Sequence, residues 1–306
     1  MVYSLEDIQS EDVETHGGKT VNLTKLANLG FCTPRGISIS SAAFSQMLRK
    51  NQELTNFLEK VDESDDFEEI LEISGSIQNI ISTYSIPEHI VSEISTSLTH
   101  LEKSEIGFAV RSSATIEDRS DVSFAGQAES YLCVKEQEDI IESVKNVWKS
   151  AFSERALFYL KTKRIPLKEV KMAVLIQEMI PAEISGVMFT ANVVTNNTEE
   201  MLINSTWGLG DTLVSGKIVP DTFVLSKSPL NVIQRNLGDK ESTQEKSSKF
   251  TLDDKTLFDI AEVGMKIEMG MESPQDIEWC IKPDGILVIL QSRPITTLSA
   301  PSSHEE

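Results

Sequence analysis

The chain has 306 residues, a net charge of −20 at pH 7, 40% apolar residues and 25% charged residues. That length suffices for one large domain or for two lobes with their own cores. The acidic balance weighs against non-specific nucleic-acid binding, which needs a basic face, and no apolar run approaches the roughly 18 residues of a membrane span. Met1 to Ser10 is polar and acidic, unlike a signal peptide. The three cysteines, Cys32, Cys133 and Cys280, show no metal-ligand spacing and stand in apolar contexts. They read as buried free thiols of a reducing, cytoplasmic compartment. On so acidic a chain, any phosphate site has to be a local cluster of Lys, Arg and backbone N–H groups set against a repelling field.

In chain order, Thr20 to Leu29 has the spacing of a helix, with Leu23, Leu26 and Ala27 on one face and Gly30 closing it. Pro34 and Gly36 lead into a short strand at Ile37 to Ile39, and Ser40-Ser41 caps a helix toward Lys50. Glu53 to Leu101 is helical with acidic faces. Phe108 to Arg111 is a short strand, Thr115 to Gly126 a polar loop, Ser130 to Val134 a strand, and Glu138 to Lys161 one long amphipathic helix. Met172 to Ile180 and Ile184 to Ala191 are strands joined by Pro181-Ala182-Glu183, where a lobe boundary is expected. The expected organisation is a first lobe over 1–183, a second over 184–298 and a polar tail over 299–306. The second lobe carries strands near Met201 to Ser205 and Thr222 to Leu225, an exposed loop or hairpin tip over Arg235 to Lys249, and a helix over Thr251 to Met269. Two more strands, Asp276 to Ile281 and Ile286 to Gln291, flank Lys282-Pro283-Asp284-Gly285. The mixture predicts an α+β protein.

Several motifs carry chemistry. His16-Gly17-Gly18-Lys19 precedes a helix, whose N-terminal N–H groups, with Lys19, suit a phosphate; the plainer alternative is a turn with an exposed lysine. Arg111 ends an apolar strand and is followed by Ser112 and Ser113. Its guanidinium fork suits phosphate oxygens, or else a surface ion pair with Glu117 or Asp118. Ser123-Phe124-Ala125-Gly126-Gln127 offers small residues for a phosphate-covering loop, or an ordinary turn. Gln177-Glu178-Met179-Ile180 closes an apolar strand, and its backbone could meet a nucleotide base. Glu278 and Gln291 bring a carboxylate and an amide oxygen, hard ligands suited to Mg²⁺. A two-residue turn at Asp284-Gly285 sets Glu278 opposite Gln291 and Asp276 opposite Arg293. A three-residue turn at Pro283-Asp284-Gly285 shifts the register by one and separates these pairs unless a second bulge restores them. Both remain open, as does a purely structural Asp276–Arg293 ion pair.

The order of these motifs is more specific than any one of them. The series runs through Gly17-Gly18-Lys19, Ala109 to Ala114, Ser123 to Gln127, Ser185-Gly186-Val187-Met188-Phe189-Thr190 and Gly208-Leu209-Gly210. It continues with Val214-Ser215-Gly216, Pro220-Asp221, Asp276-Ile277-Glu278-Trp279 and Gln291-Ser292-Arg293-Pro294. From about Gly17 to Thr296 it resembles the ATP-binding domain of the phosphoenolpyruvate synthase, pyruvate phosphate dikinase and rifampicin phosphotransferase family. The resemblance implies a two-lobed ATP-grasp-like fold that binds ATP and Mg²⁺. Lys19, Arg111 and Arg293 then resemble the phosphate-binding and catalytic cations. Ser123, Ala125, Gly126 and Gln127 resemble the loop that covers the phosphates, and Gln177, Glu178, Met179 and Ile180 the adenine-binding hinge. Glu278 and Gln291 resemble the Mg²⁺ ligands. Two positions depart from the pattern: Thr20 replaces a glycine after the lysine, and Asp211 replaces a glutamate after Gly-Leu-Gly.

Such enzymes use a histidine on a swivelling domain to attack the β-phosphate of ATP, releasing AMP, and then phosphorylate a small-molecule acceptor. The histidines here are His16, His89, His100 and His304; Ser302-Ser303-His304 superficially resembles that context but sits in an acidic tail with no domain around it. The resemblance therefore implies an ATP-dependent phosphotransferase module whose phosphohistidine domain acts in trans or lies on a missing C-terminal region. Its acceptor would be pyruvate, a rifamycin antibiotic or another small molecule. A self-sufficient small-molecule kinase and a non-catalytic ATP-binding regulatory module are the alternatives. Neither a nucleic-acid nor a membrane partner is expected.

Overall fold

A computed structural model describes residues 1–101, 105–115, 130–214, 216–239 and 248–298. The expected loop at Ser123 to Gln127, the polar tail over 299–306, Ser215 and the centre of the Arg235 to Lys249 segment lie outside the described residues. The chain divides into two compact units. The first combines Met1–Lys25 with Pro34–Met179, and the second combines Leu26–Thr33 with the residues from Ile180 onward.

Among the described residues the first unit holds a five-stranded sheet in the order β1-β2-β5-β3-β4. The strands are β1 (Val2–Ser4), β2 (Gly36–Ile39), β3 (Phe108–Ala114), β4 (Ser130–Val134) and β5 (Met172–Glu178), every neighbouring pair antiparallel. β5 explains the longest apolar run of this half. It is the central strand, and both of its faces are buried. Met172, Val174 and Ile176 join the large core with Ile37, Ile39 and Val110, while Leu175 joins a smaller cluster with Leu5, Ile8, Val21 and Leu23. A strand covered on both sides has no reason to alternate polar and apolar residues.

The large core is completed by helices α2 (Ser41–Lys50), α3 (Gln52–Glu63), α4 (Phe67–Thr83), α5 (Glu88–Thr99), α6 (Gln137–Ser150) and α7 (Glu154–Thr162). The single helix expected over Glu138 to Lys161 is two helices. Ser153 breaks it by turning extended (φ −61, ψ 152) and accepting a hydrogen bond from the Ala156 N–H, which caps α7. Helix α1 (Val13–Asn28) begins earlier than expected and is kinked at Gly17. The boundary between the units falls within α1.

Among the described residues the second unit holds a six-stranded antiparallel sheet in the order β11-β10-β6-β7-β8-β9. The strands are β6 (Ile184–Phe189), β7 (Glu200–Trp207), β8 (Asp221–Lys227), β9 (Leu230–Asn236), β10 (Gln275–Ile281) and β11 (Leu287–Pro294). β9 was not foreseen as a strand, because its side chains are largely exposed and it carries little apolar periodicity. A short helix, α8 (Asp211–Val214), follows the Gly-Leu-Gly turn. Helix α9 (Asp254–Met271) starts at the Asp253 cap, whose carboxylate accepts the Thr256 N–H at 2.8 Å. Leu257, Ile260, Ala261 and Ile267 of α9 pack with Met188, Ile203, Phe223, Leu225, Ile277 and Trp279. Those sheet residues belong to one face, so strand alternation gives the opposite face to Glu278, Asp276, Asn204 and their register partners.

The cysteines depart from expectation. Cys280 is buried, but Cys32 and Cys133 are exposed. Cys32 lies in the irregular stretch before β2, and its carbonyl accepts the Ile289 N–H. Cys133 sits at an irregularity of β4 with φ 59, its N–H turned to the Met179 Sδ at 3.0 Å. An apolar sequence neighbourhood did not bury either, because each occupies a position at which regular pairing lapses. Burial pushes the Cys280 thiol up to about 12. A thiol-reactive disulfide reagent is therefore expected to titrate two thiols in the folded protein and the third only after unfolding. A native count of three would show that Cys280 is not shielded.

Candidate functional site

In the first unit, α1 packs on β3, which brings Lys19 to Ser112, the chain neighbour of Arg111. The Lys19 Nζ lies 3.4 Å from the Ser112 Oγ. Thr20 is fully buried, and both its N–H and its hydroxyl donate to the Ser113 Oγ at 3.2 Å. Arg111 pairs with Leu175 of β5 and Ser130 of β4, so it stands in the middle of β3, not at its end. The strand runs three residues further than expected because the two serines that looked like loop residues are buried members of it, satisfied by α1.

Gly17 has a structural task. At φ 73 and ψ 165 it kinks α1, and a Cβ there would stand 2.1 Å from the Ser113 carbonyl oxygen. The close approach foreseen for a ligand is thus made by β3 itself. His16 is buried beside it. Its Nδ1 is 2.9 Å from the Ser38 Oγ, and Tyr3 meets its ring edge-on at a centroid distance of 4.8 Å. Burial lowers the His16 pKa below the usual imidazole range, against the opposing pull of Asp12. The imidazole orders this turn and is held by the fold.

Gln177 and Glu178 end β5, and the first unit ends at Met179. Gln177 is 4% exposed, and its Oε1 has no hydrogen-bond partner among the described residues. The Glu178 N–H donates to the Arg35 carbonyl at 2.9 Å and the Met179 N–H to the Gly107 carbonyl at 3.0 Å. Neither of these two donors is left for an adenine ring. Of the four segment residues, Ile180 belongs to the second unit.

The second unit brings Glu278, Gln291, Asp276 and Arg293 together. The β10–β11 register opposes Glu278 to Gln291 and Asp276 to Arg293. It does so by the more complicated of the two routes left open by the sequence. Next to the turn, Ile281 opposes Leu287 and Lys282 N–H donates to the Ile286 carbonyl, leaving the three-residue turn Pro283-Asp284-Gly285 with Gly285 at φ 84. That register alone would set Glu278 against Leu290. An irregularity at Glu278/Trp279 opposes Trp279 to Ile289 and Glu278 to Gln291, so Leu290 is the extra residue of a bulge that restores the pair.

Arg293 donates from Nε and Nη2 to the Asp276 Oδ2 at 2.8 and 2.7 Å. Burial raises the Asp276 pKa, Arg293 opposes that shift, and Glu278 adds to it. The guanidinium is therefore oriented by a carboxylate on the same face as Glu278. Gln291 is 7% exposed, and its Oε1 is buried with no hydrogen-bond partner among the described residues. A buried amide oxygen left without a donor costs about 1–3 kcal/mol, and a hard cation would relieve that cost. The donor set thus fits Mg²⁺. No group of three or more His, Cys, Asp and Glu forms a metal cage among the described residues, so a cation here would draw its other ligands from phosphate and water.

Ser112 and Ser113 of β3 and Thr20 of α1 are buried, and hydrogen bonds from Lys19 and Thr20 join the two elements there, which the sequence does not announce. Burial of polar residues inside a strand leaves no local signal. The Ser123, Ala125, Gly126 and Gln127 loop lies outside the described residues.

Helices and two antiparallel sheets make an α+β protein. The chain belongs to the family of the pyruvate phosphate dikinase AMP/ATP-binding domain, whose pattern matches residues 13–306. It is 32% identical to a probable phosphoenolpyruvate synthase of Pyrococcus horikoshii, over 98% of this chain and 44% of that protein. It is 34% identical to a probable phosphoenolpyruvate synthase of Methanothermobacter thermautotrophicus, over 98% of this chain and 47% of that protein. It is 35% identical to a rifampicin phosphotransferase of Bacillus cereus, over 97% of this chain and 36% of that protein. The chain thus spans less than half the length of these relatives.

Proposed function

We propose that this chain is the ATP·Mg²⁺-handling module of a dikinase-type phosphotransferase, with a two-lobed ATP-grasp-like architecture and a cytoplasmic location. The observation that carries the reading is the restored Glu278–Gln291 pair, in which a carboxylate stands beside a buried amide oxygen that has no hydrogen-bond partner among the described residues. The names and greater length of the relatives support it. Glu278 and Gln291 hold Mg²⁺. When bound, the ion neutralises phosphate charge and fixes the phosphate oxygens. Lys19, Arg111 and Arg293 supply positive charge to the transferred group. Asp276 keeps the Arg293 fork in one orientation. Adenine is recognised at Gln177 to Ile180, through groups other than the Glu178 and Met179 N–H donors. The loop residues Ser123, Ala125, Gly126 and Gln127 cover the phosphates.

Catalysis by such groups is positioning and charge stabilisation. The nucleophile is a histidine on a swivelling domain supplied elsewhere. Its ring nitrogen bonds to the β-phosphorus as the α,β-bridging oxygen leaves with AMP; water then takes the terminal phosphoryl group of the resulting pyrophosphoryl-histidine, releasing inorganic phosphate, and the phosphohistidine that remains passes its phosphoryl group to a small molecule. Pyruvate and a rifamycin antibiotic are the acceptors suggested by the relatives' names.

The test is ³¹P NMR of the purified chain with ATP and Mg²⁺, alone and then with the histidine domain of a family enzyme. AMP and phosphohistidine signals that require the added domain are the expected result. ADP formed without it would instead identify a self-sufficient kinase, and absence of ATP binding would overturn the reading.

A further inference from the structure

The strand registers of the second unit align one row of residues across five strands. Gln291 opposes Glu278, Glu278 opposes Val187, Val187 opposes Asn204, and Asn204 opposes Thr222. Directly opposed residues stand on the same face, so this row lies on the face away from α9. Four of its five members are polar. At the centre of a sheet, packing alone does not call for a polar row. Val187 separates two polar pairs: the acid and amide of Glu278 and Gln291, and the amide and hydroxyl of Asn204 and Thr222.

The second pair has a defined polarity. The Thr222 hydroxyl donates to the Asn204 Oδ1 at 3.0 Å. That bond occupies the acceptor end of the amide and fixes its rotation, so Nδ2 is the group Asn204 offers to a ligand. Both side chains are half-buried, open enough to be reached and enclosed enough to be held. Asn204 is two strands from Glu278, about 10 Å along the row. On a face that also carries Glu278 and Asp276, a neutral donor attracts an anion without adding a cation that those carboxylates would capture.

We infer that Asn204 is a phosphate-binding residue of this site. Its Nδ2 donates to an oxygen of the β- or γ-phosphate of ATP, and Thr222 is the positioning residue that aims it. The inference rests on the proposed function and adds to it a residue that the motif series left without a role.

The experiment is calorimetric titration of the chain with ATP and with AMP, each with Mg²⁺, for wild type, Asn204→Asp, Thr222→Val and Thr222→Ser. Asn204→Asp keeps the shape and the acceptor for the Thr222 hydroxyl but replaces the donor with a negative charge. It is expected to weaken ATP binding about tenfold or more while AMP affinity is unchanged. Thr222→Val is expected to lower ATP affinity by a smaller factor, and Thr222→Ser to restore it. ATP·Mg²⁺ binding by Asn204→Asp as tight as wild type or tighter would overturn the inference, since the position would then have no donor role or would act as a metal ligand. Equal losses for ATP and AMP would overturn it in favour of a packing role. Those outcomes leave the proposed function standing. Failure of the wild type to bind ATP would remove the proposed function and this inference with it.

Discussion

Glu278→Gln is expected to reduce Mg²⁺-dependent cleavage of ATP to AMP by about 10³-fold when the chain is paired with a histidine domain, with little change in melting temperature. The substitution conserves shape in a half-buried side chain between Gln291 and Val187, so the sheet keeps its register. What it removes is the formal negative charge that a hard cation requires. Gln291 does not compensate, because an amide oxygen carries only a partial charge. Mn²⁺ binding to the complex with a non-hydrolysable ATP analogue should weaken in parallel, which separates a metal defect from a defect in the transfer step. Unaltered AMP formation by Glu278→Gln would exclude this residue from the metal site and leave the Glu278–Gln291 pair as a structural feature of the hairpin.

Asp221→Ala is expected to destabilise the second unit by about 3–5 kcal/mol. Asp221 is fully buried at the start of β8. Its Oδ1 accepts the Gly238 N–H at 2.9 Å, and its Oδ2 accepts the Thr251 N–H at 2.7 Å and the Thr251 hydroxyl at 2.9 Å. The carboxylate therefore ties together chain positions on either side of residues 240–247. Alanine would leave these donors facing a cavity with no acceptor. Chemical denaturation should show the loss, and native-state hydrogen exchange should place it, with protection lost first at the Gly238 and Thr251 amides. Protection and midpoint unchanged in Asp221→Ala would mean that water replaces the carboxylate without cost.

Much of the secondary structure was legible because burial imposes periodicity. The helix at Ser41–Lys50 and the buried strand at Met172–Glu178 follow from spacing, and the helix expected over Thr251 to Met269 is present and begins after the Asp253 cap. The single long helix expected after Glu138 was wrong for a local reason, since Ser153 had been counted as a helix interior residue instead of a cap. Arg111 was placed at a strand end because Ser112 and Ser113 are polar. Their burial depends on Thr20 and Lys19, more than ninety residues away in the chain. The exposure of Cys32 and Cys133 was missed because local apolar context does not report where strand pairing fails.

Residue type and order were enough to specify the family and to single out Lys19, Arg111, Glu278, Gln291 and Arg293 as a candidate set, because the chemistry of phosphate and Mg²⁺ restricts which side chains are useful. Tertiary structure alone decided which backbone and side-chain groups remain available. The Glu178 and Met179 N–H groups are already committed to the Arg35 and Gly107 carbonyls, Gly17 is packed on Ser113, and Leu290 is the bulged residue that returns Gln291 to Glu278. The physical reason is that hydrogen-bond partnership and strand register are set by long-range pairing, where a shift of one residue exchanges the two faces of a strand without changing any local preference.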